Sequence, residues 1–514
     1  MNDFVPEEIQ QIIINEAMTY STKGFTGDFA FDDALFLLIS SYESLHNRYK
    51  KRYSRYKAEK IGTPIFNRDL PNFMKVNNKI NNSFMSEIVD TKLGYMIGVP
   101  IVYAVLKNEL DVEKVEKSEI IEEKYKLNTM YNKIINFCAR NSLHNINMET
   151  VKTCSICGTS SRLLYINGTI SERNKTVADI KAMNIDPWET IFIYNNSETD
   201  LLVSIRYFKK CTQDINGNIV RKFVVQLYTD KAIYVLKEDM EKKFSRDVYK
   251  TEHIFGMVPL FEFVNNRERQ GDCDKVLSII DAYDKAVSDL SSELEQFRLA
   301  YIALYGLKSN KDNMDELRQT GLFEMTKDGK VEFITKKLDI ESVLKYLDRL
   351  ENNIIRFAKS VNFKDENFFG NLSGVAIRYK LMQLEEKAMT AQVKFENSDF
   401  YMWKLLEPIF KKELPDFNSI LVKRRFTRNI PVNMLEEARI QTELEGMVST
   451  RTRMSVASFI ENPELEEQSL INEKILNKNN DIDFMDKGQP GIRTYDIEKG
   501  GLTDRNTNGT VGEK

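Results

Sequence analysis

Apolar positions recur with two different periods along this chain, and the change from one to the other falls near Cys273. Before it, helical and alternating patterns are mixed. Leu35, Leu37, Leu38, Ile39, Tyr42 and Leu45 predict a helix from Asp32 to about Tyr56. A shorter helical stretch, Phe84–Leu93, runs into Gly94-Tyr95-Met96-Ile97-Gly98-Val99-Pro100, whose glycines and proline turn the chain into a strand at Ile101–Val105. Lys124–Ser142 reads as a further helix. Arg162–Ile166, Ile191–Tyr194, Leu201–Phe208, Val220–Tyr228 and Ala232–Leu236 read as strands, the last three as an antiparallel meander. Asn216-Gly217 is the turn dipeptide that fits right-handed strand twist between two of them.

From Cys273 the period becomes helical. Val276, Ile280, Tyr283, Val287, Leu290, Leu294 and Phe297 alternate at spacings of 4 and 3, an a/d seam along one side of a straight helix. Val343, Leu347, Leu350, Ile354, Phe357 and Val361 repeat the pattern. Between these helices lie strand-like Leu299–Leu307, a short helix at Asp312–Thr320 and a strand at Lys330–Ile334. A polar, glycine-containing loop, Asn362–Gly374, leads into a helix from Val375 to about Leu414, with Ser373 as its N-cap. Ile420–Phe426 reads as a strand, and Met434 to about Leu476 as one helical segment. Residues 478–514 are rich in Asn, Asp, Gly and Lys and read as a disordered tail. The fold class expected is α+β, mainly helical.

Composition changes this picture little. The apolar share is 42% and the charged share 29%, as in ordinary folded proteins, and charges break every apolar run before it could span a membrane. The start, Met1-Asn2-Asp3-Phe4-Val5-Pro6-Glu7-Glu8, lacks the basic and apolar stretches of a secretory signal, so a cytoplasmic protein is expected. A net charge of −4 argues against tight DNA binding.

Candidate chemistry is sparse. Cys154 and Cys157 have CxxC spacing without a second pair or a nearby histidine, which favours packed thiols over a metal. His46, His144 and His253 are far apart. There is no phosphate-binding loop of the Gly-x-x-x-x-Gly-Lys-Ser/Thr type, no Gly-x-Ser-x-Gly elbow and no His-Glu-x-x-His pair, so no catalytic site and no cofactor is expected. Trp188 and Trp403 read as core. Three charge clusters remain. Arg48, Lys50, Lys51, Arg52, Arg55, Lys57 and Lys60 make the end of the first helix basic, either a solvated face or a polyanion patch. Asp274, Asp281, Asp284, Asp289, Glu293 and Glu295 make the first seam helix acidic, either a solvated amphipathic face or a functional surface. Lys423, Arg424, Arg425 and Arg428 could guard a strand edge, pair with a neighbouring subunit or touch DNA.

Four phrases, in order, carry a resemblance. They are Asn77-Asn78-Lys79-Ile80-Asn81-Asn82 with Gly94–Ile101; His253-Ile254-Phe255-Gly256-Met257-Val258-Pro259 running on to Gly271-Asp272; Ser373-Gly374-Val375-Ala376-Ile377-Arg378-Tyr379-Lys380-Leu381; and Val448-Ser449-Thr450 with Asn462-Pro463-Glu464-Leu465-Glu466-Glu467. Across residues 30–475 the chain resembles the portal, or head–tail connector, proteins of tailed phages of Gram-positive bacteria. Cys154-Ser155-Ile156-Cys157-Gly158 departs from the pattern, standing where the family has an apolar helix end with glycine before a strand.

The resemblance implies a ring of about twelve copies at one capsid vertex. It divides the chain into a wing (1–272), stem helices (273–298 and 340–361), a clip between them (299–339), a tunnel loop (362–374), a long helix with a wing strand (375–431) and a crown (432–477). Implied partners are the terminase large subunit, the head–tail adaptor, the major capsid and scaffolding proteins, and double-stranded DNA passing without sequence preference; no membrane is involved. The channel lining would include Asn362, Lys364, Asp365, Asn367 and Asn371 of the tunnel loop. Clip contacts to terminase or adaptor would include Asp312, Asp315, Glu316 and Arg318. If the polar face of the first stem helix looks inward, Asp281, Asp284, Asp289 and Glu293 form an acidic bore that repels phosphates from all sides and centres the duplex. The alternatives are a phage head protein with a diverged nucleic-acid-processing activity, or a protein-only scaffold.

Overall fold

The computed structural model describes residues 8–15, 29–69, 76–105, 117–166, 180–195, 200–213, 219–237, 249–297, 301–305, 330–334, 339–362, 374–430, 434–457, 460, 463 and 466–474. Two compact units, Met1–Pro431 and Val432–Lys514, are described separately. The first begins with α1 (Phe29–Tyr56), α2 (Phe84–Ile97), β1 (Val102–Val105), α3 (Lys117–Arg140) and α4 (Leu143–Cys157). Strands β2 (Thr159–Ile166), β3 (Ile180–Ile185), β4 (Thr190–Tyr194), β5 (Leu201–Gln213), β6 (Ile219–Tyr228), β7 (Ala232–Lys237), β8 (Tyr249–Glu252) and β9 (Leu260–Val264) follow. Then come α5 (Leu277–Phe297), β10 (Tyr301–Tyr305), β11 (Lys330–Ile334), α6 (Ile340–Phe357), α7 (Gly374–Glu413) and β12 (Val422–Arg425). The architecture is α+β, as expected.

The meander grows into a five-stranded antiparallel sheet ordered β4-β5-β6-β7-β8. Alternation decides which way it faces. Val203, Ile205, Val225, Leu227, Ala232, Tyr234 and Leu236 point to one side and pack on Phe31, Ala34, Leu35 and Leu38 of α1. His46 of α1 reaches the same sheet: its Nε2 donates to the Thr190 carbonyl at 3.1 Å and its Nδ1 accepts from the Tyr207 hydroxyl. A three-stranded sheet, β3-β2-β9, lies beside α4 and α7, and joins residues about one hundred positions apart in sequence. There the fully buried Arg162 guanidinium donates to Asn147 Oδ1 and Thr150 Oγ1 at 2.7 Å each, and lies 4.5 Å over the Phe263 ring. The buried charge is held by these neutral acceptors and by the ring face, with the carboxylate of Asp399 favouring it electrostatically.

Several expectations shift. α4, β3, β8 and β9 were not anticipated. Helix α4 resolves the departure at the CxxC stretch: it ends at Cys157, Gly158 caps it at φ +90°, and β2 begins at once. A Cβ on Gly158 would lie 2.1 Å from the Arg269 carbonyl oxygen, so only glycine fits that crossing. The thiols are packed: Cys154 donates to the Phe263 carbonyl and Cys157 to that of Tyr49. Burial pushes Cys157 up to about 12 and Cys154 higher. Among the described residues no three His, Cys, Asp or Glu side chains could share a metal ion, and no helix is long and apolar enough to cross a membrane.

Trp403 is fully buried and donates to Asp399 Oδ2 at 3.1 Å, while Trp188 is partly buried against the core beside α5. α7 runs unbroken through Pro408, roughly 60 Å long at 1.5 Å per residue. In the second unit the single helix expected from Met434 is interrupted. It forms α8 (Met434–Glu443), a turn with Gly446 at φ +80°, and α9 (Thr450–Val456), whose cap Ser449 accepts from the Thr452 amide. The Asn216-Gly217 turn, the Asp312–Thr320 helix, the Ser373 cap and the 478–514 tail lie outside the described residues.

Candidate functional site

The acidic helix α5 carries the expectation of a bore, and several of its acids meet partners within the chain. Asp274, in the turn before it, pairs with Arg52, which also donates to the Cys157 carbonyl. Asp281 pairs with Arg55, and Asp289 with Arg68. The basic end of α1 is thus matched in part to the acids of α5. Asp281 and Asp289 remain about half exposed, at 40% and 47% of their side-chain surface, so each presents a paired charge to solvent.

Asp284 is different. It is 2% exposed, and its Oδ1 accepts from the backbone N–H and the Nδ2 of Asn82 at 3.0 and 2.8 Å. Desolvation raises its pKa, against the pull of the two hydrogen bonds from Asn82. Glu293 is half-buried, and Asn78 Nδ2 donates to Glu295 Oε2 at 2.9 Å.

The cover over α5 is the first phrase of the resemblance. Residues 76–82, outside any helix or ladder, run along the helix. The amides of Asn78, Ile80 and Asn82 donate to Ser292 Oγ, Ser288 Oγ and Asp284 Oδ1, at 3.0, 2.9 and 3.0 Å. Two extended residues advance roughly 6.6 Å and four helical residues roughly 6.0 Å, so alternate strap amides keep step with one line of the helix. Each serine closes its own accounts by donating back to the helix, Ser288 to the Asp284 carbonyl and Ser292 to that of Ser288, at 2.7 and 2.8 Å. A polar line, Asp284–Ser288–Ser292, is therefore the buried side of α5 here. The apolar seam is buried only at its start, by Val276 and Ile280, and Leu294 stays 48% exposed.

The second phrase also encloses charge. Lys92, 1% exposed, donates to Asn265 Oδ1 and Asp272 Oδ1 at 2.7 and 3.1 Å, and Lys387 of α7 stands 3.6 Å from Asp272. Burial lowers the Lys92 pKa. Burial would raise that of Asp272, but Lys387 and Lys92 hold it below the usual carboxylate range. Lys387 also donates to the Ala358 carbonyl, so this cluster ties α2, the approach to α5, the end of α6 and α7 together. Sequence reading missed it, because nothing in the spacing of Lys92, Asp272 and Lys387 announces their meeting.

The basic run at β12 is likewise paired within the chain. Arg424 donates to the buried Asp399, and Arg428 to Glu385 at 2.7 and 2.9 Å. β12 itself is paired with β1. Of the tunnel-loop candidates, Asn362 is described, half-buried with its Nδ2 3.5 Å from Glu351 Oε1. Lys364, Asp365, Asn367 and Asn371, and the clip candidates Asp312, Asp315, Glu316 and Arg318, lie outside the described residues.

With this geometry in place, comparison with known proteins decides the relationship. Residues 36–480 match the family described as phage portal protein, SPP1 Gp6-like. The chain belongs to the phage portal protein family. The portal protein of Clostridium phage phiCD119 is 25% identical over 439 residues, covering 82% of this chain and 90% of that protein. The portal protein of Bacillus phage SPP1 is 24% identical over 421 residues, covering 78% and 77%. The family brings with it a bacteriophage origin, a place at the capsid vertex and a part in packaging viral DNA. Two of the phrases that carried the resemblance thus fall on the strap over α5 and on the buried lysine–aspartate cluster, both of which hold helices in place.

Proposed function

We infer that this chain is one subunit of a closed ring at a single capsid vertex, the conduit through which the genome enters in packaging and leaves at ejection. The observation that carries this reading is unfinished apolar surface on α5 and α6 in a chain of the portal family. In α6 only Leu347 and Ile354 are buried, while Ile340, Leu344, Tyr346 and Phe357 are 45–53% exposed. Leu294 of α5 and Tyr379, Met382, Met389 and Val393 of α7 are 48–74% exposed. Apolar helix faces of this kind call for neighbours, and identical neighbours close into a ring when each contact is head-to-tail.

In this reading α5 and α6 are the stem, β10 and β11 belong to the clip on which the terminase and the head–tail adaptor dock, and 362–374 is the loop reaching into the channel. The wing comprises 1–272, and 432–477 the crown. The subunit contributes geometry; a separate ATPase supplies the work. An acidic bore then rests on Glu293 and on the half-exposed, arginine-paired Asp281 and Asp289, with a weaker field than free acids would give. Electron microscopy of the purified chain tests the proposal. Rings of about twelve subunits with a central hole are expected; a monomer or an open filament would refute it.

A further inference from the structure

The basic residues that stand out in the sequence are matched in part inside the fold, at Arg52, Arg55, Arg424 and Arg428. A second set, inconspicuous in the sequence, is brought together by strand register on the face of the five-stranded sheet opposite α1. Lys210 of β5 and Lys222 of β6 are direct cross-strand partners. One row inward, Phe208, Val224 and Lys237 align across β5, β6 and β7, and the next row holds Arg206, Gln226, Val235 and Tyr249. Cross-strand partners stand about 5 Å apart at Cβ, and Lys237 is a diagonal neighbour of Lys222 at about 8 Å.

Lys210 and Lys237 are exposed, Lys222 is half-buried and Tyr249 is 63% exposed. Among the described strand residues of this face none is a carboxylate. Among the described residues, the ion pair on this face is that of Arg206, which donates to Glu189 at 3.0 and 3.1 Å. Like charges placed opposite each other in a sheet destabilise it, so the arrangement is unfavourable until an anion arrives.

Tyr228, Phe192 and Ile233 of this face pack with Leu163 and Leu260, which leaves its lysine-bearing end open. We propose that this lysine-bearing end is a docking surface for the phosphate backbone of double-stranded DNA, apart from any contact in the channel. The side chains choose among polyanions. The Phe208 and Tyr249 rings are already covered by cations of the chain, Arg206 at 4.8 Å and Lys237 at 4.9 Å from the ring centres, so they are not free platforms for unpaired bases. Lysines act as mobile point charges without the planar fork that pairs with carboxylates, which fits a sequence-blind hold on closely spaced phosphates better than an acidic protein surface. The choice of DNA rests on the family's part in packaging and is independent of the ring.

The test uses the full chain as purified, titrated with a labelled random-sequence duplex of about 30 base pairs over salt from about 50 to about 200 mM. The variant Lys210→Gln/Lys222→Gln/Lys237→Gln should bind about tenfold more weakly at low salt, with the slope of log K against log salt reduced by about 2 to 3. The control Lys50→Gln/Lys51→Gln/Lys60→Gln makes the same charge change on and just after α1 and should leave the slope unchanged. Equal slopes for the sheet variant and the unmodified chain would overturn the proposal, as would an equal loss in the control. Preference for a single strand or for poly-glutamate, abolished by the sheet variant, would also overturn it, assigning the face to another partner. None of these results bears on whether rings form, so this proposal can fail while the conduit stands.

Discussion

Helix α5 and the lysine-bearing end of the five-stranded sheet treat charge in opposite ways. α5 is rich in acids, yet Asp281, Asp284 and Asp289 are met by Arg55, Asn82 and Arg68 of the same subunit. The sheet face carries few charges, yet Lys210 and Lys222 are set side by side, and no carboxylate stands among the described strand residues of their face. Charge density along a sequence is thus a poor guide to charge available at a surface; what counts is whether the fold supplies the partner.

The strongest way to break this contrast is to reverse the α5 charges. The double variant Asp281→Lys/Asp284→Lys places one cation against Arg55 and buries another beneath Asn82. A loss of about 3–5 kcal/mol in chemical denaturation is expected, as for an uncompensated buried charge. A stable subunit with altered packaging would instead place Asp284 in the bore beside Asp281.

A second test addresses the covered side of the sheet. Burial lowers the His46 pKa to about 4, the Thr190 carbonyl opposing and Lys50 adding to the shift. The unfolded chain, with an ordinary histidine, takes up the proton near 6.5, so stability is full above that pH and declines as pH falls from about 6.5 toward about 4. Between pH 7 and 5 this amounts to about 2 kcal/mol. His46→Gln should flatten that part of the profile in thermal melts; an unchanged slope would mean that His46 is not held neutral.

The strap offers a smaller effect. Ser288→Ala leaves the Ile80 amide without its acceptor and should cost about 1–2 kcal/mol. Ser291→Ala, which removes only an acceptor for the half-buried Asn78 side chain, should cost less. Equal losses would show that the strap amides are not the element that matters. Smallest of all, Lys210→Gln/Lys222→Gln should change stability by no more than about 0.5 kcal/mol, and upward, because a repulsion is relieved. A clear loss would reveal a counter-charge that the sheet face needs.

The long helices were legible because their apolar residues repeat: α1, α5, α6 and α7 lie within a few residues of their expected limits. α4 was not, because Asn147, Thr150 and Ser155 are buried polar residues that blur its apolar face. β8 and β9 are only four and five residues long, too short for alternation to speak. The site was less legible than the fold. A polar stripe on an amphipathic helix reads as solvent-facing, and Asp284, Ser288 and Ser292 break that rule because a distant segment supplies backbone amides. The phrase from Asn77 to Asn82 was noticeable as a signature, but its contacts depend on the register of two elements some two hundred positions apart.

That register behaves like a vernier. Strap and helix advance in steps that differ by roughly 0.6 Å, so rungs that coincide at one point drift apart by roughly 1.2 Å over three and by roughly 1.8 Å at a fourth. Hydrogen bonds tolerate only a few tenths of an ångström on either side of their best length. An extended segment can therefore follow a straight helix for about three rungs before side-chain adjustment is exhausted. The strap has rungs at Asn78, Ile80 and Asn82, and then turns away into α2. Lengthening it by a fourth rung would add a bond that geometry withholds, so the three-rung strap is close to the longest that this kind of pairing permits.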